Sequence, residues 1–321
     1  MAEKTTISGV LNIDKPAGLT SHDVVAKVRR LLTTNYKLPT LKVGHTGTLD
    51  PFATGVLLVV LGPATRLIQF SHQWDKEYEA TFTFGATSDT DDVTGTITPP
   101  NLPHQFGEQA LSGEEKNTPP DKGEIEGVLK KFIGTIPQVP PAYSAVKVKG
   151  KKLYELARAG LPAEALAKAG ETRPRNVHIH EINVTRYEYP ELDVRIRCGT
   201  GTYIRSLARD LGEQLGVGAY VSSLRRTRIG PYTIADSVPL QQLSTAFQQA
   251  VHTPAALVNH LPKLPLTSHN IELLRQGQRI EATDDTLTAP GPVAVFAADH
   301  TLVGVGIYDP ATSLLSPSIN L

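Results

Sequence analysis

The sequence predicts an α+β fold with two domains, a large one followed by a small one. Three observations carry this prediction: three stretches place apolar residues at helical spacing, two others alternate strictly between apolar and polar residues, and one short run is wholly apolar. At 321 residues the chain is longer than a typical single domain. Its apolar content of 40% is sufficient for a hydrophobic core and excludes global disorder.

The N-terminal third contains one predicted helix and two predicted strands. The apolar residues of 21–32 fall on one helical face, and Thr20 or Ser21 can cap the start of that helix. Residues 56–61 are wholly apolar, which favours a buried strand. Residues 77–84 alternate, as is typical of a half-buried strand. The apolar side of this strand consists of Tyr78, Ala80, Phe82 and Phe84.

The middle of the chain begins with a predicted loop. Residues 86–123 are rich in Pro, Gly, Thr and acidic residues and lack periodicity. A helix should follow, with an apolar stripe of Ile125, Val128, Leu129, Phe132 and Ile133. Residues 192–198 alternate and predict a strand, which a Gly-Thr-Gly turn joins to a helix over 204–215. Gly212 weakens this last helix, so the sequence does not define the residue at which the helix ends.

Beyond residue 250 the sequence predicts a small β-rich domain. A short helix near Asn270–Arg275 precedes two strand-like runs, Val293–Ala297 and Leu302–Ile307, which an Asp299-His300 turn joins. We therefore expect one domain at residues 1–245 and a second at residues 250–321.

Charge is balanced overall but unevenly distributed. The 32 basic and 32 acidic residues give no net charge, so bulk electrostatics alone does not indicate a nucleic-acid partner. Residues 86–126 contain nine acidic and two basic residues, whereas residues 147–175 contain eight basic and three acidic ones. Residues 195–228 contain seven arginines and two acidic residues. The two basic segments can bind a polyanion such as RNA, or they can be ordinary solvated surface.

Several classes of protein are excluded by missing motifs. A single cysteine, Cys198, cannot form an internal disulfide or a cysteine-rich zinc site, and it suits a reducing cytoplasm. The longest aliphatic run, residues 56–61, is too short to cross a bilayer, and Met1–Ser8 has no signal-peptide character. The chain lacks a P-loop, a complete dinucleotide fingerprint and a Gly-x-Ser-x-Gly elbow. The acidic run that starts at Asp89 fails as a calcium loop, so we expect no metal.

The segment Lys42–Gly55 is the strongest candidate for a reactive loop. Its three glycines and Pro51 break both helix and strand, and it leads directly into the buried run at 56–61. Asp50 in this loop can serve as a nucleophile, a base or a turn residue. His45 can donate hydrogen bonds or stack on a base. The alternative is that these residues are ordinary turn chemistry.

Ordered motifs across residues 9–230 resemble one known family. The motifs are GVLNIDKP at 9–16, GHTGTLDP at 44–51, KEY at 76–78, PPAYSAVK at 140–147, GTYIRSL at 201–207 and LRRT at 224–227. Together and in this order they resemble the TruB family of tRNA pseudouridine-55 synthases. The last 70 residues or so resemble, more loosely, the small PUA-type RNA-binding domain that such enzymes often carry.

The resemblance implies a reaction and its catalytic residues. Members of the family detach uracil from its ribose, rotate it and rejoin it through carbon, without cofactor or metal. Asp50 is then the catalytic aspartate, acting either as a nucleophile or as a base and ion-pair stabiliser. Arg205 is its cationic partner, because a buried carboxylate stays ionised only beside a positive charge. Tyr78 lies against the flipped uracil and takes part in its deprotonation at carbon five, unless it is an ordinary core aromatic.

Further residues are assigned to substrate binding by the same resemblance. His45 stacks into the gap that the extruded base leaves, and Tyr203 packs under the site. Leu224 packs against the flipped base or belongs to the core. Lys15 is either a structural partner of the active-site loop or a surface charge. Thr200 stands where many members have Lys, which removes a possible phosphate contact but leaves Arg205 untouched.

The basic segment 147–175 resembles the family's mobile insertion, which closes over the T-loop and stem of tRNA. Its lysines Lys149, Lys151 and Lys152 are candidate RNA contacts, since RNA loops are recognised by shape and by splayed-out bases. The acidic segment 86–126 should then face away from the RNA.

The resemblance therefore predicts a mixed, largely antiparallel sheet flanked by helices, followed by a PUA-like domain. The expected function is isomerisation of uridine to pseudouridine in the tRNA T-loop, in the cytoplasm, by a monomer without membrane or obligatory protein partner. One rival is the catalytic subunit of a guide-RNA-directed pseudouridylating particle, which usually lacks the 147–175 insertion. A second rival is a non-catalytic tRNA-binding or folding protein, against which the presence of Asp50, Tyr78 and Arg205 argues.

Overall fold

The chain forms two compact units, each discontinuous in sequence. The computed structural model describes residues 7–99, 119–143, 147–148, 151–152, 174–282 and 287–321. The first unit comprises Met1–Asp50, Leu57–Gln73 and Ala235–Leu321, and the second comprises Pro51–Val56 and Trp74–Ile234. Within the described ranges, no helix combines the length and the apolar character needed to cross a membrane.

The described part of the chain alternates short helices with many strands. In chain order the strands are β1 (Gly9–Lys15), β2 (Val43–His45), β3 (Thr54–Leu61), β4 (Lys76–Phe84), β5 (Thr87–Ser88), β6 (Ile97–Thr98), β7 (Gly134–Gln138), β8 (Lys147–Val148), β9 (Lys151–Lys152), β10 (Arg175–Glu188), β11 (Glu191–Cys198), β12 (Ala219–Ile229), β13 (Tyr232–Thr233), β14 (Val238–Pro239), β15 (Val251–His252), β16 (Lys263–Pro265), β17 (Ile280–Glu281), β18 (Gly291–Phe296), β19 (Leu302–Asp309) and β20 (Leu314–Asn320). The α-helices are α1 (Ser21–Asn35), α2 (Ile68–Ser71), α3 (Lys122–Leu129), α4 (Ile204–Gln214), α5 (Leu243–Ala250) and α6 (Ser268–Arg275).

The first unit is built around β1 and a C-terminal sheet. β14 pairs parallel with β1 and β15 pairs antiparallel with it, so the chain returns to β1 from a distance of more than 200 residues. Helix α1 starts where the sequence predicted, because Thr20 and Asp23 form a capping box. The last five strands of the unit form a separate sheet in the order β16-β18-β19-β20-β17. This sheet and α6 confirm the β-rich character predicted for the C-terminal region.

The second unit is a mixed sheet that is largely antiparallel, as predicted. Its strands follow the order β12-β4-β11-β10-β7, and every pair in that series is antiparallel. The first residues of β3 add a parallel pair, with Gly55 opposite Arg226 on β12. Gly55 has a φ of 102°, and a Cβ at this position would lie 2.2 Å from the Arg226 carbonyl oxygen. A glycine is therefore required where these two strands meet.

Strand β4 confirms the alternation seen in the sequence. Tyr78, Ala80, Phe82 and Phe84 are buried, and Glu79 between them is exposed. Strand β3 confirms the buried apolar run, since all its residues after Thr54 are buried.

The segment predicted as mostly loop is so where the structure describes it, whereas the helix after it is shorter than predicted. Within residues 87–98, the strands β5 and β6, of two residues each, pair antiparallel. Residues 100–118 lie outside the described ranges. Helix α3 ends at Leu129 and a 3₁₀ turn follows, so Ile133 lies outside the helix and is 46% exposed. The next residue, Gly134, has a φ of 100° and starts β7. The prediction that Ile133 belongs to the buried stripe is wrong, because this backbone turn ends the helical periodicity.

Helix α4 runs through Gly212 to Gln214, despite the helix-weakening glycine. A Cβ on Gly212 would lie 2.2 Å from the backbone nitrogen of Ala219 at the start of β12. Because Gly212 has no side chain, the chain that follows the helix can pass close to its backbone. The Val217 and Gly218 amides both donate to the Gly212 carbonyl at 3.0 Å.

Of the basic insertion 147–175, the structure describes residues 147–148, 151–152 and 174–175. β8 and β9 pair antiparallel, with Lys147 opposite Lys152 and Val148 opposite Lys151. Lys149 and residues 153–173 lie outside the described ranges.

Candidate active site

The loop that carries Asp50 belongs to the first unit and leaves β2 at His45. β2 pairs antiparallel with the end of β3, with His45 opposite Val59. The Thr46 amide then donates to the Leu58 carbonyl at 3.1 Å. Leu49 is buried, and Asp50 is half-buried. The loop is thus anchored by backbone hydrogen bonds and by one buried side chain immediately before the candidate carboxylate.

The first turn of α1 contacts this loop at two points. The Ser21 hydroxyl donates to the Leu49 carbonyl at 3.1 Å and accepts from the Leu49 amide at 2.8 Å. The rings of His22 and His45 meet edge to face, with centroids 5.5 Å apart and planes at 71°. His45 is half-buried and His22 is exposed. Sequence reasoning used Ser21 only as a possible helix cap and did not single out His22.

Lys15 lies at the end of β1 and is fully buried. Its ammonium donates to the carbonyls of Pro16 at 2.9 Å and Leu19 at 2.7 Å. A buried ammonium must be satisfied by such acceptors, because its desolvation is costly. Lys15 is therefore not a surface charge, and the two acceptors named here lie in the turn before α1.

Arg205 lies in the first turn of α4 in the second unit and is 4% exposed. It forms a buried ion pair with Asp92, with 3.3 Å between Nη1 and Oδ2. It also donates to the carbonyls of Thr90 at 2.9 Å and Tyr143 at 3.0 Å. The guanidinium is therefore fixed by one carboxylate and two peptide oxygens from separate segments.

Asp92 is a functional candidate that sequence reasoning missed. The acidic run Asp89, Asp91 and Asp92 was considered only as a calcium loop and rejected on its ligand spacing. In the structure the Asp92 carboxylate accepts from the Thr94 amide at 2.9 Å and from the Thr90 hydroxyl at 2.8 Å. These hydrogen bonds orient the carboxylate toward Arg205. The local sequence does not indicate that Asp92 pairs with Arg205, since the two residues lie more than 100 positions apart.

A second ion pair lies one helical turn after Arg205. Arg209 pairs with Asp91 at 2.9 Å and with Asp210 at 2.8 Å, and it donates to the Val139 carbonyl at 3.1 Å. Burial raises the pKa of the Asp91 carboxyl to about 6, although the neighbouring Arg209 acts in the opposite direction. Desolvation therefore affects the pKa of Asp91 more strongly than ion pairing does.

Tyr203 is the N-cap residue of α4, and its backbone is fixed by a buried glutamine. The Tyr203 amide donates to Gln138 Oε1 at 2.8 Å, and Gln138 Nε2 donates to the Tyr203 carbonyl at 3.1 Å. Gln138 is 2% exposed. The Ser206 hydroxyl donates to the next carbonyl, that of Val139, at 2.8 Å. The Tyr203 side chain forms no capping hydrogen bond, and the Gln138 amide group instead binds the backbone at the start of α4. Sequence reasoning did not identify Gln138.

Tyr78 and Leu224 lie on the adjacent strands β4 and β12. Leu224 is paired with Ala80, and Tyr78 is paired with Arg226. Tyr78 is 7% and Leu224 is 6% exposed, so both are buried among the strands of the second unit. The Arg226 side chain is also buried, and its Nε donates to the Val56 carbonyl at 2.8 Å.

The predicted site residues are distributed over both units. Asp50, His45 and Lys15 belong to the first unit, and Arg205, Tyr78, Tyr203 and Leu224 belong to the second. Lys151 and Lys152 form β9, and Lys149 lies outside the described ranges. No group of three or more His, Cys, Asp or Glu residues suited to a metal ion occurs in the described part of the chain.

Comparison with protein families gives two matches. Residues 29–204 match the N-terminal domain of the TruB family of pseudouridylate synthases. Residues 205–264 match the C-terminal domain of tRNA pseudouridylate synthase B. The first match alone covers more than half of the chain.

Individual relatives agree with these matches. The tRNA pseudouridine synthase B of Trichormus variabilis is 39% identical over 319 residues, which cover 98% of each chain. That of Gloeobacter violaceus is 42% identical over 280 residues, which cover 85% of this chain and 87% of the relative.

Two solved structures share the fold. A Cbf5–Nop10–Gar1 complex contains a chain that is 28% identical, with a TM-score of 0.64 and coverage of 94% of this chain and 78% of the other. An H/ACA ribonucleoprotein bound to a substrate RNA containing 2′-deoxyuridine gives 25% identity, a TM-score of 0.65 and coverage of 98% and 83%.

Proposed function

Since the chain belongs to the TruB family of pseudouridylate synthases, which isomerise uridine in tRNA, we propose that it acts on the uridine at position 55 in the T-loop. The observation that carries this proposal is the GHTGTLDP loop with Asp50, in a chain that matches tRNA pseudouridine synthase B over almost its whole length. The reaction breaks the bond from ribose C1′ to uracil N1 and forms one from C1′ to C5. The proton on C5 leaves and N1 gains a proton, so atoms and electrons balance without a redox partner.

Asp50 is the proposed catalytic carboxylate. It acts either as a nucleophile at the sugar or as a base and ion-pair stabiliser during cleavage of the glycosidic bond. Either role requires the ionised form, which a desolvated carboxylate keeps only beside a cation. Arg205 is the proposed cation, because its guanidinium stays charged at every relevant pH. Its ion pair with Asp92 supports this role, since it holds the guanidinium in one orientation.

The target base is proposed to leave the RNA stack before it reacts. Enzymes that act on a base extrude it at a cost of a few kcal/mol. His45 stacks in the gap that the base leaves, and its half-buried ring beside His22 is consistent with this role. Tyr78 lies against the flipped uracil and takes part in proton removal at C5, and Leu224 packs against the base. Tyr203 supports the site from the start of α4.

The tRNA is proposed to bind through the basic insertion at residues 147–175, as well as at the active site. Replacement of Lys149, Lys151 and Lys152 by Gln should weaken tRNA binding more at low salt than at high salt, because each lost phosphate contact reduces the salt dependence. The measurement is a binding titration at several salt concentrations. An equal loss at every salt concentration would indicate a folding defect and would contradict the assignment.

Asp50→Asn tests the central proposal. The variant should lose turnover by about 1,000-fold or more, because the neutral amide can neither attack the sugar nor stabilise a cation. It should bind tRNA within a few-fold of the unmodified enzyme. The matched control is Asp89→Asn, an exposed residue of the acidic segment 86–126, which should keep full activity. A pseudouridine map of treated tRNA gives both the rate and the modified position, and full activity in Asp50→Asn would refute the proposal.

A subunit that needs partners is the second candidate. It is favoured by the two similar solved structures, one of which is a complex with Nop10 and Gar1 and the other a ribonucleoprotein. The higher identity to tRNA pseudouridine synthase B, 39% against 28%, supports an enzyme that acts alone. We propose a cytoplasmic monomer, with a catalytic domain at residues 1–245 and a PUA-like RNA-binding domain at residues 250–321. Activity of the purified chain on bare tRNA transcript would exclude the second candidate.

A further inference from the structure

The first turn of α1 holds the peptide that leads into Asp50. Ser21 is 1% exposed, and its hydroxyl bonds to both polar backbone groups of Leu49. It accepts from the Leu49 amide at 2.8 Å and donates to the Leu49 carbonyl at 3.1 Å. The Leu49 carbonyl belongs to the same peptide plane as the Asp50 nitrogen. Two hydrogen bonds from one buried side chain therefore fix the orientation of the backbone from which the Asp50 carboxylate extends.

Ser21 is itself held in place from two sides. On the helix side, the capping box fixes the first turn: the Asp23 amide donates to Thr20 Oγ1 at 3.0 Å, and the Thr20 amide donates to Asp23 Oδ2 at 2.8 Å. On the other side, the ammonium of Lys15 donates to the Leu19 carbonyl at 2.7 Å, which closes the turn before the helix. The hydroxyl that binds Leu49 is thus carried by a rigid support.

The loop held in this way contains a glycine in a left-handed conformation. Gly47 has a φ of 104°, a conformation that is open to glycine and costly for most other residues. On the near side of this glycine, the Thr46 amide donates to the Leu58 carbonyl of β3 at 3.1 Å. Ser21 adds an anchor at the far side of the glycine, immediately before Asp50.

We propose that Ser21 is a positioning residue for Asp50. This inference rests on the proposed function, in which the Asp50 carboxylate must meet the reacting atoms of the sugar. A displacement of about 1 Å at a reacting group can cost about 100-fold in rate. Loss of the Ser21 hydroxyl removes two hydrogen bonds that orient the backbone of Leu49, which lowers kcat and leaves tRNA affinity unchanged.

The test compares Ser21→Ala with Thr20→Ala. Both variants remove a hydroxyl from the start of the same helix, but the Thr20 hydroxyl caps the helix, whereas the Ser21 hydroxyl binds the backbone of Leu49. Thr20→Ala should cost about 1 kcal/mol of stability and lower kcat by no more than about 3-fold, because it loosens the first turn but keeps both Ser21–Leu49 hydrogen bonds. Ser21→Ala should lower kcat by about 10-fold to 100-fold, with KM and tRNA affinity changed by less than about 2-fold. Single-turnover rates at saturating enzyme, tRNA binding and thermal unfolding are measured for each variant.

Two further variants keep the result decisive. Ser21→Thr retains the hydroxyl and should recover most of the rate, which a merely packing role would not predict. If Ser21→Ala does not fold, Ser21→Cys replaces it, because the thiol fills the place of the hydroxyl but hydrogen-bonds weakly. Asp50→Asn is measured in parallel. If it retains activity, the proposed function fails, whatever Ser21 does.

Three results would overturn the inference while leaving the role of Asp50 intact. The first is a kcat for Ser21→Ala within about 2-fold of the unmodified enzyme. The second is an equal fall in kcat for Thr20→Ala, which would show that general support of the helix is responsible. The third is a change in KM or tRNA affinity that accounts for the whole loss, which would place Ser21 in binding rather than in positioning.

Discussion

Gly212→Ala should destabilise the protein, although helix propensity alone predicts the opposite. Alanine in a helix interior is favoured over glycine by about 1 kcal/mol. At Gly212, however, the added Cβ would lie 2.2 Å from the Ala219 nitrogen and 2.4 Å from the Gly218 carbonyl carbon. Both are backbone atoms, so the segment after α4 must move. Overpacking of this kind costs about 1–3 kcal/mol.

The displaced segment also forms hydrogen bonds that the substitution would weaken. The amides of Val217 and Gly218 both donate to the Gly212 carbonyl at 3.0 Å. Each such bond contributes about 1 kcal/mol. After subtraction of the propensity gain, the free energy of unfolding should fall by about 2–4 kcal/mol.

Urea unfolding followed by tryptophan fluorescence measures this effect. The chain has one tryptophan, Trp74, and it lies in the same unit as Gly212. Gly127→Ala is the matched control: this glycine lies within α3, and nothing occupies the space within 4 Å of its added Cβ. The control should be stabilised by about 0.5–1 kcal/mol. Equal stabilisation of both variants would refute the reasoning from close approach.

Three other substitutions or treatments give equally direct tests. The pKa of Asp91 is about 6 in the folded protein, above its usual value, so the folded state binds the proton more tightly and stability falls as pH rises from about 4 to 6. Asp91→Asn removes this pH-dependent contribution to stability. Between pH 4 and 6, the free energy of unfolding of the variant should therefore rise relative to that of the unmodified protein, by at most about 3 kcal/mol. Parallel pH profiles of unfolding for the two proteins would contradict this prediction. Gly55→Ala should cost about 3 kcal/mol or more, because of the positive φ and the contact with the Arg226 backbone, and an unchanged melting temperature would contradict it. Burial raises the pKa of the Cys198 thiol to about 11, so a thiol reagent at pH 8 should label the protein only after unfolding.

Elements whose residues interact locally could be predicted from the sequence. The alternation in β4, the apolar run in β3 and the cap of α1 all depend on neighbours within a few residues, and all three are present. Ile133 was assigned wrongly because helical periodicity does not register the positive φ of the following glycine. The role of Gly212 could not be read from the helix either, since the atoms that require a glycine belong to the next strand.

The candidate site follows the same division. Asp50 and Arg205 stand out in the sequence because their motifs are short and local. Ser21, Gln138 and Asp92 do not, because each acts through partners that are distant along the chain. The bonds from Ser21 span 28 residues and those from Gln138 span 65. Only the folded chain shows which backbone group or guanidinium each of these side chains contacts.

The interleaved course of the chain has a consequence for biosynthesis. The second unit ends at Ile234, whereas the first requires Ala235–Leu321 to join residues made at the very beginning. On a ribosome that adds about 5–20 residues per second, the later-starting unit is therefore completed first. The first unit, which includes Asp50 and β1, cannot complete its folding until β14 and β15 are synthesised and pair with β1. A nascent chain released early would carry a finished second unit attached to an N-terminal segment with exposed apolar residues, which makes it a natural target for chaperones.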